Sequence, residues 1–414
     1  MGKHLIVIGG GAAGFFCAIN AARMEPSLKV TIIEKSNKLL SKVKVSGGGR
    51  CNVTHACFDI AEMSKQYPRG QHFVKKAFHQ FFTKDTINWF EERGVKLKTE
   101  EDGRMFPVTD SSQTVINCLL QEANKLGVEI LMNKEVKSLS MVNGEWSIKL
   151  SDSRLLTSHF CCIASGGYPK SSMFDWLKEL GHSIEEPVPS LFTFNLPKHP
   201  ITKLMGVSVE KARVKIIGTK LEEEGPLLIT HWGLSGPAVL RLSAWGAREL
   251  KIKNYELRIV INWLPDYNEE NLRKKFQELR ITNASQKVVN KNSFGLPSRL
   301  WEFLAGQAGI KDEWRWADLP STEQNKFIKN LCGYECEVKG KTTFKEEFVT
   351  AGGIKLNEVD ANTMMSKKVP NLFFAGEVLD VDGITGGFNF QHAWTSGWVA
   401  AKTIAFSSDV RRES

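Results

Sequence analysis

The sequence predicts an α/β fold: a parallel sheet whose chain leaves for a long inserted segment and returns near the C-terminus. Three observations predict it. Residues 5–34 read as strand, glycine turn, helix, strand and carboxylate. Residues 371–389 read as a late strand ending in glycine and a carboxylate, then more glycines and a helix. Between them, from about residue 191 to 345, period-two alternation and separate helical runs replace the continuous apolar runs of buried parallel strands.

The first block carries the strongest signal. Leu5 to Ile8 is an apolar run that stops at Gly9, and Gly9, Gly11 and Gly14 stand in a G-x-G-x-x-G frame that contains Ala12 and Ala13. A helical pattern runs to about Met24, and a second apolar run, Val30 to Ile33, stops at Glu34, 20 residues past the third glycine. In that context the frame marks a dinucleotide site. Gly9 permits the turn, Gly11 lets a pyrophosphate approach the backbone, and Gly14 lets the helix pack on the sheet. The helix N-terminus offers unpaired N–H groups and the positive end of its dipole to the phosphates. Glu34 is placed to accept from the ribose hydroxyls and would repel a 2′-phosphate, which leaves FAD or NAD.

Composition sets outer bounds. The chain has 414 residues, 42% of them hydrophobic and 24% charged, with a net charge of +9. No run approaches the roughly 20 apolar residues of a membrane span. The nucleotide-binding strand begins by His4, so a cleaved leader would remove the site, and the expectation is a cytoplasmic protein without membrane association. Eight cysteines include no C-x-x-C pair, which argues against a dithiol–disulfide flavoenzyme, and no metal site is expected. The basic residues are spread along the chain, so a solvated basic surface is the expectation and nucleic acid is not an expected partner.

After Glu34 and Lys35 the chain reaches Lys42 and then Ser46, Gly47, Gly48, Gly49, Arg50, Cys51 and Asn52. Three consecutive glycines form a loop whose N–H groups can converge on an anion or the edge of a flat ring. Arg50 could hold a phosphate or a substrate carboxylate. With the first block, this Ser-Gly-Gly-Gly-Arg-Cys-Asn-Val-Thr run resembles a bacterial flavoprotein family of the two-dinucleotide-binding-domain superfamily. That HI-type, BaiN-like family includes proteins named aminoacetone oxidases and a bile-acid reductase. The resemblance implies a glutathione-reductase-type, Rossmann-like FAD-binding domain. It also implies a glycine and a basic residue just before Lys42, where this chain has Leu40 and Ser41.

Residues 71–94 read as two helices, and Arg104 to Pro107 as a short strand that the resemblance puts near the flavin. Ser111 to Leu126 reads as a helix stopped by Gly127. Strands follow at 128–131 and 135–141, then an Asn143-Gly144 hairpin turn. The resemblance gives the strand at Val136 a backbone contact to the adenine. Phe160 to Ala164 is a buried strand running into Ser165 and Gly166, where the chain should pass the cofactor. The proline-punctuated stretch 186–200 marks a boundary, giving a first domain part at 1–190, an insertion at 191–345 with a helical portion at about 268–331, and a second part at 346–414. The insertion is expected to cover the substrate.

Within the insertion, Thr230 to Pro237 is a turn leading into a helix at Ala238–Leu250, and it matches a further family signature. There His231 is either a proton donor near substrate or a histidine satisfied by the turn backbone. The chain returns at Phe348 to Gly353 and reaches Gly376 and Glu377. FAD proteins of this superfamily hold the ribitol with a carboxylate here, a role open to Glu377, Asp380 or Asp382. Gly386 and Gly387, followed by Phe388 and Asn389, could aim N–H groups at the flavin ring or pyrophosphate. This second block selects FAD over NAD.

The expectation is therefore an FAD-dependent oxidoreductase that moves a hydride between flavin and a small organic molecule, by amine oxidation or by NADH- or NADPH-linked enone reduction. Arg50, Arg104 and His231 are its candidate catalytic residues. No second G-x-G-x-x-G is present, so a pyridine nucleotide would visit as a transient donor. The alternatives are an RNA-modifying flavoprotein in which FAD serves methyl transfer on tRNA, and a flavin-binding protein without turnover.

Overall fold

A computed structural model describes residues 2–342 and 349–407. The chain divides into two compact units, Met1–Ser190 with Lys345–Ser414, and Leu191–Phe344. The expected return at Phe348 and the expected boundary between residues 345 and 346 lie outside the described residues.

The first unit is built on a five-stranded parallel sheet. Strand β1 (His4–Ile8) is central, flanked by β2 (Lys29–Ile33) and by Phe160–Ile163, with Glu129–Leu131 and Leu372–Phe374 at the edges. All four pairings are parallel. These strands read as apolar runs because both faces are covered; Leu5, Ile6 and Val7 have no exposed surface. The crossover from β1 to β2 is helix α1 (Ala12–Met24), which packs along the final helix, Phe388–Ser407. The two helices come close at Gly397, where a Cβ would stand 2.7 Å from the Ala13 carbonyl oxygen. Two helices do form between residues 71 and 94, Gln71–Phe78 and Thr83–Glu91, and another spans Ser112–Lys125.

Two small antiparallel sheets flank this core. One joins Val136–Val142, Glu145–Leu150 and Leu155–Ser158. Its turn at Asn143 and Gly144 has φ of 53° and 82°, the primed geometry whose twist matches paired strands. The other joins Thr54–His55, Arg104–Pro107 and Leu97–Thr99. Ile184–Ser190 also pairs antiparallel with Val349–Ile354.

The second unit carries a seven-stranded sheet whose pairings are antiparallel. Helices Glu269–Thr282, Ser298–Gln307 and Ser321–Cys332 belong to the same unit, whose core includes buried Trp263, Trp301, Trp316, Phe276 and Phe327. In that sheet Ser208–Ile216 is a single strand with an irregularity between Val209 and Ala212. One expectation is corrected. The helix expected over Ala238–Leu250 is broken into Pro237–Trp245 and Ala247–Ile252 at Gly246. No helix among the described residues is long and apolar enough to cross a membrane.

Candidate functional site

The site begins at the turn after β1. Gly9 donates to the Ile33 carbonyl at 2.8 Å, and a Cβ on Gly14 would lie 2.0 Å from the Gly9 carbonyl oxygen. That contact is backbone on backbone, so position 14 admits no side chain. Gly11 differs: a Cβ there meets nothing within 4 Å, and as N-cap it brings no side chain to the first turn of α1. The helix thus opens onto free space with its N–H groups uncapped, the arrangement an anion needs.

Glu34, at the end of β2, is tied into this turn. One carboxylate oxygen accepts from the Gly10 N–H at 2.9 Å, and the other from the Ser36 N–H and hydroxyl, both at 2.8 Å. Three bonds on about four acceptor positions leave room for a further donor. Leu40 donates to the Gly10 carbonyl and takes φ 54°, ψ 31°, so the backbone is left-handed at one of the two positions where the resemblance expected a glycine and a basic residue.

The loop at 46–52 follows a short helical stretch. Ser46 turns extended, and Gly47, Gly48 and Gly49 take φ of 58°, 69° and 85°. A Cβ on Gly48 or Gly49 would meet nothing within 4 Å, so their backbone lines open space. Cys51 also has positive φ, and burial pushes its thiol up to about 12, so it is neither nucleophile nor thiolate. Arg50 lies 4.0 Å above the Phe106 ring and Arg104 lies 5.4 Å from it. Glu100 pairs with both guanidinium groups, at 2.5 and 3.0 Å. The two candidate arginines therefore form one cluster.

This loop is stitched to the start of the final helix. The Asn52 side-chain nitrogen donates to the Thr54 and Met105 carbonyls, and its oxygen accepts from the Gly387 N–H at 2.9 Å. His55 meets the Gly386 carbonyl through Nδ1 at 3.0 Å and stacks on Phe388 with centroids 4.7 Å apart. Burial lowers the His55 pKa, so the ring is neutral, and a carbonyl partner puts its proton on Nδ1. Beneath, Thr54 and Thr86 both donate to Gln391, and Trp394 donates to the Val53 carbonyl.

The late strand delivers Gly376 with φ 75°. Ser396 accepts from its N–H at 2.9 Å, and His392 faces its carbonyl through Nε2 at 3.3 Å. Burial pushes His392 down to about 4, so this clamp is neutral. Glu377 accepts from the Thr350 N–H at 2.8 Å and pairs with Lys42, while the buried Thr350 hydroxyl finds no partner among the described residues. Ala164 and Ser165 press on the first turn, since a Cβ on Gly9 would stand 2.3 Å from the Ala164 oxygen, and Gly166 faces open space. Val136 is half-buried at the start of its strand, and Lys35 stands over the Tyr168 ring at 5.5 Å.

Several expectations are corrected. Asp382 is fully buried, with both oxygens taken by Arg69 and Ser190, so it has no face for a ribitol. That leaves Glu377 and Asp380. The Gly387 N–H already donates to the Asn52 side-chain oxygen. The Asn389 side chain closes on Gly383 N–H and C=O, at 2.8 and 2.9 Å, and shapes the loop. His231 keeps its expected place at the turn before the helix: it is an exposed residue of the second unit, its ring T-shaped to that of Trp232 with centroids 4.2 Å apart. Sequence reasoning missed Arg69, His55, Gln391, His392 and Ser396; only His55 carried a signal, its place three residues past Asn52.

An uncapped helix behind Gly11, a carboxylate at the end of β2 and glycine backbones lining open space fit a dinucleotide carrying a flat ring. The family model described as the HI0933-like protein Rossmann domain matches residues 3–403. The chain belongs to this family. Its cofactor is FAD, and it is an FAD-dependent oxidoreductase. Members similar to it include a protein of Escherichia coli K12 named ribosomal RNA dihydrouridine synthase, 31% identical over 96% of this chain and 97% of its own. A Clostridium scindens 3-dehydro-bile acid delta(4,6)-reductase is 26% identical over 96% of this chain and 98% of its own. Among solved structures, a quinol-fumarate reductase chain is similar in fold with a TM-score of 0.51 at 14% identity, covering 99% of this chain and 71% of its own. The Rhodococcus jostii 3-ketosteroid-delta4-(5alpha)-dehydrogenase gives 0.50 at 12% identity, covering 96% and 97%.

Proposed function

We propose that this HI0933-like protein reduces a carbon–carbon double bond conjugated to a carbonyl, and that its substrate is uracil in ribosomal RNA. The observation that carries this is chemical. The Escherichia coli and Clostridium scindens relatives span nearly the whole chain, and their names give unlike substrates with one bond in common. Uracil C5=C6 is conjugated to the C4 carbonyl; a 3-dehydro bile acid with Δ4,6 unsaturation presents an extended enone. In both, a hydride adds at the carbon remote from the carbonyl, a proton adds beside it, and the π bond is lost. Bound FAD in its reduced form supplies the hydride, and NADH or NADPH would restore it.

In this reading Gly11 and the first turn of α1 hold the pyrophosphate, Glu34 the ribose, and Gly47–Gly49 the ring edge. Lys42 and Glu377 would hold the ribitol, while Arg50 and Arg104 would offer cationic surface to the substrate carbonyl. The RNA substrate is favoured because a second relative, from Haemophilus influenzae, bears the same ribosomal RNA name at 29% identity over 97% of this chain. Flavin-dependent methyl transfer on tRNA, the RNA alternative from sequence, is replaced by reduction.

Deleting the gene and quantifying dihydrouridine in digested ribosomal RNA by mass spectrometry tests this. Loss of the nucleoside, restored by the gene on a plasmid, is expected; an unchanged level overturns the RNA reading. The Clostridium scindens relative supports a second reading, a free enone as substrate. It requires the purified holoenzyme to oxidise NADH or NADPH when given a 3-keto-Δ4 steroid.

A further inference from the structure

Charge is not shared evenly between the two units. Residues 191–344 carry 24 Lys and Arg against 17 Asp and Glu, while the remaining 260 residues carry 31 against 29. Most of the net +9 therefore lies in little more than a third of the chain.

Within the second unit much of this charge is neutralised in place. On the sheet Arg213 pairs with Glu224 and Lys211 with Asp266; on the helix at 269–282 Lys274 pairs with Glu270 and Lys275 with Glu278. Several exposed cations have no such partner among the described residues, and three of them lie close together. Lys287, Lys291 and Arg315 form no ion pair with any described residue. Lys287 and Arg315 face each other across an antiparallel bridge, set by Val288 N–H to Trp314 O and Trp316 N–H to Gln286 O, both at 3.0 Å. That pattern is the non-hydrogen-bonded pair, the one in which opposing side chains come closest. Two like charges directly opposite destabilise a ladder. Lys291 adds a third one turn on, its N–H donating to the Lys287 carbonyl at 3.2 Å.

The platform beneath is fixed. Trp301 donates through Nε1 to the Val288 carbonyl at 2.9 Å, and Arg280 donates to the carbonyls of Leu319 and Ala317 at 2.6 and 3.0 Å. Val288 and Trp316 are fully buried. Beside it Trp314 is half-exposed, with the Lys311 ammonium 5.6 Å from its ring. Converging cations on a rigid base next to an indole face form a surface for phosphates and an unstacked base.

We propose that Lys287, Lys291 and Arg315, with Trp314, form a docking surface for the phosphate backbone of RNA. The inference deepens the ribosomal RNA reading and rests on it for the identity of the nucleic acid. A polyanion brings the negative charge that these residues lack within the protein, and counter-ions released on binding make the contact salt-dependent.

The test uses the FAD-loaded protein, the K287E/K291E/R315E variant and a K75E/K84E/K178E control with the same charge change in the first unit. Binding to ribosomal RNA transcribed in vitro is measured over a salt series, and dihydrouridine formation with NADPH is measured in parallel. The docking variant should bind at least tenfold more weakly and lower the slope of log affinity against log salt by about 2 to 3, with flavin content unchanged and the control close to wild type. If wild type makes dihydrouridine but the docking variant and control bind alike, the surface is overturned and the function stands. If binding depends on the three cations and no dihydrouridine forms, the function is overturned and the surface stands. If wild type binds no RNA at low salt, both fall.

Discussion

The two units use their polar residues in opposite directions. The first is almost electrically balanced and turns its special groups inward: Asp382 against Arg69, His392 against Gly376, and Gln391 beneath Thr54 and Thr86. The second is the basic one and leaves Lys287, Lys291 and Arg315 at its surface without an ion pair to any described residue. Holding a cofactor through a catalytic cycle requires preorganised, satisfied backbone, whereas meeting a large anion requires unsatisfied charge on a rigid base.

The sharpest way to break this comparison lies within the glycine turn. Gly14→Val forces a side chain into the Gly9 carbonyl, and the first unit should fail to fold, giving insoluble protein or lost cooperative unfolding. Gly11→Val faces open space, so a folded protein of near wild-type melting temperature is expected, with FAD content reduced at least tenfold in the visible spectrum. If Gly11→Val keeps its full flavin, Gly11 does not face the pyrophosphate.

A smaller effect separates inward from outward polarity through acid titration. Burial holds His392 at about 4, against 6.5 for a free ring. The unfolded chain therefore takes up a proton that the native state refuses, and stability present above pH 6.5 is lost as pH falls toward 4. The full difference is about 3 kcal/mol. Urea titrations should show this loss in wild type and a shallower one in His392→Gln; equal slopes would remove His392 as its source.

Leu40→Gly relieves a left-handed backbone but deletes a side chain that is 1% exposed. Relief of about 1 kcal/mol is outweighed by a cavity costing about 2–5 kcal/mol, so net destabilisation of about 2 kcal/mol is expected from denaturant midpoints. A more stable variant would show that strain, not packing, dominates there. Smallest of all, Arg213→Gln removes a half-exposed pair of the second unit and should change stability by less than about 1 kcal/mol, less still at high salt.

How much could be read in advance depends on the range of the interaction. The first turn, Glu34, the hairpin at Asn143 and the long helices are local patterns, and each of these elements appears in the structure. The helix break at Gly246 and the bulge after Val209 are local too, but apolar periodicity alone does not place them. Asp382 misled because a carboxylate after a glycine strand reads the same whether it faces a ligand or Arg69, which stands 313 residues away.

By itself, then, the sequence determined the dinucleotide turn, the class of cofactor and the existence of an insertion, because glycine conformations, apolar periodicity and a carboxylate at a strand end are properties of neighbouring residues. Only the tertiary structure decided which carboxylate is buried, that Asn52 and His55 clip the 386–388 turn, and that Lys287 stands opposite Arg315. Those pairings join residues far apart in the chain, and whether a charge is neutralised or left exposed depends on what folding brings to its side.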